Sequence, residues 1–175
     1  MKGIVIYKGK YGATRQYAEW LGLALGFPVL QAGQEAKEQI VNASHILIGS
    51  SIYIGKLQMR EWLKENQLLL ADKKVFLFMV AGTPPGEKEK LEGYFKANVP
   101  LDMHDKIRCY FLPGKLAFKK LSLIDKLLLK MGSMLAKQSG ETISTADYNE
   151  VRRENIAAMI DDVEFDFNHQ SVLHL

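Results

Sequence analysis

The sequence predicts an α/β fold: a doubly wound parallel sheet of five strands, order 2-1-3-4-5, with helices on both faces. Three observations carry this. Five short apolar runs recur along the chain, helix-compatible stretches separate them, and the runs are continuously apolar instead of alternating with polar residues. A strand covered on both faces has that composition, and such strands belong to parallel sheets between two helix layers. Regular alternation of strand and helix then gives a three-layer layout whose ligands bind beyond the carboxyl ends of the strands.

Taken in order, the strands are "GIVIY" (3–7), "FPVL" (27–30), "HILIG" (45–49), "VFLFMV" (75–80) and "IRCYFL" (107–112). The intervening patterns predict helices over 13–25, 35–42, 57–70 and 87–97, and a last one over 147–163. For that last helix Thr145 or Asp147 is the expected N-cap, with Glu150 placed to complete a capping box. One segment interrupts the rhythm: "KLAFKKLSLIDKLLLKMGSMLAKQSG", 115–140, an insertion after the fifth strand. Wound as a helix over 121–137, it gathers Leu121, Leu123, Ile124, Leu127, Leu128, Met131, Met134 and Leu135 on one side. Lys126, Lys130, Lys137, Ser122 and Ser133 take the other side, and Leu129 alone breaks the pattern. A basic amphipathic helix of this kind suits peripheral contact with a membrane, here through 119–137, or docking on a partner. The bland alternative is that its apolar side packs on its own domain or on a second subunit, as in a homodimer.

The 175 residues are expected to form one domain, 1–175, with a hydrophobic fraction of 47% and a charged fraction of 25%, ordinary for a water-exposed globular chain. "MKGIVIYKGK" has too short an apolar run for a signal peptide, and no apolar stretch is long enough to span a bilayer. Cys109 is the only cysteine, which excludes a disulfide framework and a cysteine metal site. His45, His104, His169 and His174 are scattered without ligand spacing. The expected location is a reducing cytoplasm, with the inner face of the membrane as the place for peripheral contact. Net charge is +3, unevenly spread: Lys106–Lys137 holds eight basic residues against Asp125, and the chain from Glu141 holds eight acids against Arg152 and Arg153. The basic segment is aliphatic, without interleaved stacking aromatics, so nucleic-acid binding is not expected.

Three loops leave carboxyl ends of strands with unusual composition. In Lys8–Thr14, Gly9 and Gly12 let the backbone approach an anion, Thr14 offers a hydroxyl and Lys10 a charge. The helix that follows adds free N–H groups and its positive dipole end, so a phosphate fits. A dinucleotide fingerprint, a Walker loop and the acid set of a receiver domain are all missing. In the second loop, "GSSIYIGK" (49–56), Ser50 and Ser51 can bond a polar ligand, Tyr53 or Ile54 can cover an aromatic face, and Gly55 permits an exposed carbonyl. The third, "AGTPPGEK" (81–88), stiffened by Pro84-Pro85-Gly86, brings Thr83.

This arrangement resembles a flavodoxin-like domain, in which the first loop holds the phosphate of FMN and the next two flank the isoalloxazine ring. The phosphate loop of that family reads S/T-x-T-G-x-T. Gly12 and Thr14 match its end, whereas Gly9, Lys10 and Tyr11 stand where hydroxyl residues are usual, so backbone N–H groups and Lys10 would replace them. The resemblance implies FMN on Gly9, Lys10, Tyr11, Gly12, Ala13 and Thr14, on Ser50, Ser51, Ile52, Tyr53, Ile54 and Gly55, and on Ala81, Gly82 and Thr83. One branch is more similar still, the menaquinone-dependent protoporphyrinogen dehydrogenases of bacteria. It shares an "IGSSIYIGK"-like loop, a long basic-apolar insertion after the fifth strand, and a segment resembling "SGETISTADYNEVRRE".

That branch implies an FMN-dependent oxidoreductase with a quinone as redox partner and a porphyrin as substrate, whose propionates Lys115, Lys119 and Lys120 could attract. No catalytic acid or base stands out, and the flavin carries the redox chemistry. Two other classes remain open: a non-enzymatic flavodoxin-type electron carrier, and a docking module that keeps the fold without cofactor. A sequence pI near 8.8 and a third loop without an aromatic residue favour the enzyme, because carrier flavodoxins are acidic and steer toward basic partners.

Overall fold

Within each central strand, neighbouring residues face opposite helix layers, which is why the sequence shows no polar alternation. The computed structural model describes residues 2–84, 86–138 and 146–172. Its strands are β1 (Gly3–Lys8), β2 (Val29–Gln31), β3 (His45–Tyr53), β4 (Lys56–Leu57), β5 (Lys74–Ala81), β6 (Ile107–Pro113), β7 (Lys115–Leu116) and β8 (Tyr148–Asn149). The helices are α1 (Ala13–Leu25), α2 (Lys37–Asn42), α3 (Arg60–Leu70), α4 (Lys88–Asn98), α5 (Leu123–Gln138) and α6 (Ala157–Val172). Two compact units result: Met1–Gly114 with Val151–Leu175, and Lys115–Glu150.

The first unit is built on a parallel sheet of order β2-β1-β3-β5-β6, with β4 paired antiparallel to the end of β3. This is the predicted 2-1-3-4-5 order, β4 being an addition. Ile4, Ile6, Ile46, Ile48, Leu77 and Met79 face one cluster with Ile40 of α2 and Trp62, Leu63 and Leu70 of α3. Val5, Leu47, Phe76 and Phe78 face the other, with Tyr17, Ala18 and Leu21 of α1 and Met159 and Val163 of α6. Each fully buried aliphatic or aromatic side chain contributes on the order of 1.5–3 kcal/mol of hydrophobic stabilisation, so the two layers account for the sheet's stability far better than its hydrogen bonds do. Cys109 lies partly exposed in the edge strand β6, and burial pushes its thiol up to about 12, so it stays protonated at neutral pH.

Several boundaries differ from the sequence reading. The second strand starts at Val29, pairing Val29 with Val5, while Phe27 turns into the core at 5% exposure. The third helix begins at Arg60 because Lys56–Leu57 fold back on β3 as a strand. The helix expected over 147–163 begins ten residues later, at Ala157, after a 3-10 turn over Arg153–Ile156. Tyr148 and Asn149 instead pair with Leu116 and Lys115, and the Asp147 carboxylate accepts the Phe118 N–H at 2.7 Å. A capping-box pattern rests on residues three apart; here pairing with a strand more than thirty residues away outweighs it. Ile156, Met159 and Val163 then supply the helical spacing that buries α6. Thr145, Pro85 and the segment 139–145 lie outside the described residues, as do the side chains of Leu135, Lys137 and His169, and His174.

The second unit contains the β7–β8 ladder, a 3-10 turn over Phe118–Lys120, and α5. Ser122 starts α5: its hydroxyl accepts the Asp125 N–H at 3.1 Å and its carbonyl accepts the Lys126 N–H. Asp125 occupies the first turn, where the helix dipole favours a negative charge. Leu121, read from the sequence as part of the helix, precedes it.

Candidate functional site

Strand register places the three loops at one sheet edge. Lys8, Ser50 and Met79 stand side by side across β1, β3 and β5. Adjacent strands are about 5 Å apart, so the loops that follow them open within roughly 10 Å of one another.

The first loop, 9–12, bends between β1 and α1. Gly12 takes a left-handed conformation at φ 81°, which an L side chain reaches only at a cost. A Cβ at Gly9 would stand 2.6 Å from both Cβ and Oγ1 of Thr14. The bend therefore closes onto the start of α1 only with glycine at that position. No side chain caps α1, and its first turn has no acidic residue. The first N–H groups of a helix have no intrahelical acceptor, so this end is open to an anion. Ala13 and Thr14 begin the helix and are buried, Thr14 to 1% exposure with its hydroxyl against Gly9. Arg15, on the same turn, is bonded to Glu19 at 2.7 Å, and that hydrogen bond with the carboxylate's charge raises the guanidinium's pKa.

Lys10 joins the first loop to the second. Its ammonium lies 4.3 Å from the centroid of the Tyr53 ring and 5.7 Å from that of Tyr11. Such contacts contribute about 0.5–1 kcal/mol at exposed sites.

The second loop is a hairpin, which the sequence did not suggest. Tyr53 pairs with Lys56, and the two residues between them, Ile54 at φ 50° and Gly55 at φ 70°, both have positive φ. Two successive positive φ values define the type I′ turn that suits a two-residue hairpin. Ile54 is the only positive-φ residue other than glycine among the described residues, and it is 63% exposed. Tyr53, Ile54, Lys56, Leu57 and Gln58 line a depression of about 270 Å³.

The two serines part company. Ser50 is fully buried; its hydroxyl accepts the Met59 N–H at 3.1 Å and donates to the Ser51 carbonyl at 3.2 Å. It holds the loop instead of reaching outward, unlike the expectation for it. The Ser51 hydroxyl is buried without a hydrogen-bond partner. A buried orphan hydroxyl costs roughly 1–3 kcal/mol, a cost that a polar ligand group would relieve. Ile52 is in β3, paired with Leu57. Gly55 does not offer a bare carbonyl as expected, because Asn98 donates to it at 3.0 Å.

Asn98 is the residue that sequence reading missed. It is 3% exposed at the end of α4. Its carbonyl oxygen accepts the Leu57 N–H at 3.1 Å, and its amide also donates to the Tyr94 carbonyl at 2.8 Å. One side chain thus clamps the hairpin to α4. An asparagine beside "VP" at a helix end looks like an ordinary stop signal, and nothing local marks its partners. In the third loop Ala81 ends β5, buried, with its carbonyl accepting the Gly114 N–H at 2.9 Å. Gly82 is exposed and Thr83 half-buried in the bend beyond. Lys115 lies on β7 and Lys119 and Lys120 in the 3-10 turn, all in the second unit.

A phosphate-bearing flavin fits this donor set: an uncapped helix start without acids, a glycine bend that a Cβ would fill, and an orphan hydroxyl on the next loop. Nothing among the described residues clusters histidine, cysteine and carboxylates as a metal site would.

The chain is similar to a flavodoxin from the domain Archaea, 18% identical over 81% of this chain and 100% of that one, TM-score 0.44. It is also similar to the Trp repressor binding protein from Bacillus subtilis, 16% identical over 65% and 83%, TM-score 0.46. A third is the NAD(P)H:quinone oxidoreductase from Methanothermobacter marburgensis, 10% identical over 82% and 97%, TM-score 0.45. No curated protein matches the sequence significantly. Identities and scores this low leave the assignment to the family model: residues 4–159 match that of the flavodoxin domain, and the chain belongs to that family.

Proposed function

We propose that this protein is an FMN-dependent oxidoreductase that links oxidation of a porphyrinogen to reduction of a quinone. The observation that carries the flavin part is the meeting of loops at one sheet edge, where Lys10 reaches from the uncapped start of α1 to the Tyr53 ring. Backbone N–H groups of Ala13, Thr14 and Arg15 would receive the terminal phosphate, with the Lys10 ammonium completing its charge balance. Tyr53 and Ile54 would cover one ring face, and the Ser51 hydroxyl would bond a polar edge. When bound, the flavin supplies a carrier that accepts two electrons and releases them singly or together. The chain's part is to bind, orient and leave one ring face open, since Gly82 and Thr83 bring no aromatic side chain. FMN is preferred to a dinucleotide flavin because one phosphate-binding turn is present and the G-x-G-x-x-G fingerprint is not. The quinone and porphyrinogen parts rest on the "IGSSIYIGK" loop, the inserted unit and the "SGETISTADYNEVRRE" segment, which resemble those of the protoporphyrinogen dehydrogenases.

The test is reconstitution followed by turnover. The apoprotein should bind FMN and turn yellow, and Lys10→Ala should weaken binding about ten-fold, as loss of a charge-assisted hydrogen bond does. Thr14→Ala should weaken it about five-fold, in line with one neutral hydrogen bond. Unchanged affinity in both variants would remove the phosphate assignment. Protoporphyrinogen IX with a quinone acceptor should turn over; a loaded protein that cycles electrons but leaves the porphyrinogen unoxidised would be a carrier.

A further inference from the structure

Lys10 stands in the bend between β1 and α1, close before the left-handed Gly12. Its side chain is exposed, and its ammonium lies over the Tyr53 ring, 4.3 Å from the centroid, with the Tyr11 ring at 5.7 Å. Tyr53 ends β3 at the hairpin turn, where it pairs with Lys56. One cation therefore spans from the phosphate-binding bend to the ring that covers a flavin face in the reading above. Lysine carries a point charge on a flexible four-carbon stem, so it can exchange partners without moving the backbone. Two partners of unequal strength compete for this one. A cation over an exposed aromatic face is held weakly, whereas a charge-assisted hydrogen bond to a phosphate is stronger and draws the ammonium toward the start of α1. The uncapped N–H groups of α1, with no acid in the first turn, fix where that phosphate sits.

We propose that Lys10 is the residue by which this site tells a phosphorylated flavin from an unphosphorylated one, guarding the Tyr53 face until a phosphate claims its ammonium. The inference rests on the flavin reading and adds a specificity device to it. Lys10 reaches Tyr53 from the first loop, and a ring tethered to a phosphate at the start of α1 arrives from that same side. A face that carries an ammonium cannot at the same time stack on a heterocycle. Riboflavin ends in a hydroxyl where FMN has its phosphate, so its ring must displace the ammonium and forfeit the cation–π contact without return. FMN displaces the same ammonium and hands it a stronger partner in the same event. Phosphate binding and ring stacking are thereby coupled through one side chain. The cation on Tyr53 works against ligands that bring only a ring, so discrimination exceeds what the phosphate contacts alone supply.

The experiment titrates the full chain, freed of flavin, with FMN and with riboflavin, read by quenching of flavin fluorescence. Lys10→Ala should move the two affinities in opposite directions. FMN binding weakens about ten-fold with the lost phosphate bond, while riboflavin binding tightens about two- to five-fold because no cation–π contact is forfeited. Lys10→Arg should hold both affinities within about two-fold, since a guanidinium serves ring and phosphate alike. In a Tyr53→Leu background, Lys10→Ala should no longer tighten riboflavin. Lys10 is exposed, so its variants keep the wild-type circular dichroism. A lysine that merely shapes the bend would weaken both ligands when removed, and one that serves only the phosphate would leave riboflavin unchanged, undetected binding by both forms included. Either result, with wild-type FMN binding intact, overturns the proposal and leaves the flavin reading standing. A riboflavin gain that persists without Tyr53 overturns it too, and a wild-type chain that binds neither ligand overturns both.

Discussion

Replacing Ile54 with Asn separates what the hairpin costs from what it does. A β-branched residue in the left-handed region at φ 50° is held against its preference by roughly 1–2 kcal/mol. Asparagine tolerates that region, and Asn-Gly is the favoured pair for a type I′ turn. Against this gain stands lost burial. Ile54 is 63% exposed, so about a third of a side chain worth roughly 2 kcal/mol when buried is given up, near 0.7 kcal/mol. The net expectation is a stabilisation of up to about 1 kcal/mol, which in a chain of this size raises Tm by roughly 1–4 °C. Differential scanning calorimetry of the apoprotein reads this directly.

The same substitution should harm flavin binding. If Ile54 covers a ring face, exchanging it for a polar side chain removes apolar contact worth about 1 kcal/mol, and the FMN Kd should rise about five-fold. Stability up with affinity down is the signature of strain kept for function. A lower Tm would show that Ile54 is not strained. A higher Tm with unchanged affinity would show that the strain serves something other than the flavin.

Three further outcomes follow from the same region and from the opposite end of the sheet. Ser51→Ala removes a buried orphan hydroxyl, so the apoprotein should gain about 1 kcal/mol in chemical denaturation while flavin affinity falls. Asn98→Leu strips the clamp from the Leu57 N–H and from the Gly55 and Tyr94 carbonyls, and should cost about 2–3 kcal/mol by the same assay, with looser FMN binding. His45 is buried with its ring stacked 3.8 Å from that of Phe167, and desolvation lowers its pKa, opposed by Asp166 and reinforced by Lys74. The folded state therefore holds His45 neutral, so its contribution is present above the unfolded value near 6.5 and is lost as pH falls below it. His45→Phe should flatten the decline of Tm between pH 6.5 and 5; an unaltered decline would assign it to other groups.

How much of this was legible beforehand depends on the distance over which each feature is decided. The continuous runs "HILIG" and "VFLFMV" revealed a sheet buried on both faces because Ile46 and Ile48 serve one layer while Leu47 serves the other. That is a local property of composition. The first loop was legible for the same reason: Gly12 is its own requirement, and Gly9 answers to Thr14 only five residues away. The hairpin was not. Lys56 and Leu57 form a strand only because β3 runs on to Tyr53 and Asn98, 41 residues further along, receives the Leu57 N–H. Asp147 shows the converse, since its local pattern points to a helix cap and a partner at Phe118 takes its carboxylate instead.

The first of these failures bears on the site itself. Its first loop is assembled from neighbours in sequence and so is fixed as soon as α1 forms. Its second loop depends on α4 through a single buried amide and carries the strained residue at its tip. Contacts that close long loops form late and open first, because chain entropy opposes them. The phosphate end of the pocket should therefore be rigid in the apoprotein and the ring end labile. Hydrogen exchange can separate them: in the apoprotein the amides of Tyr17 and Leu21 should be strongly protected and that of Leu57 should exchange faster, and FMN should slow Leu57 most. Equal protection of all three without the cofactor would mean that the Asn98 clamp alone holds the hairpin as firmly as the core, and that the flavin finds its ring site already made.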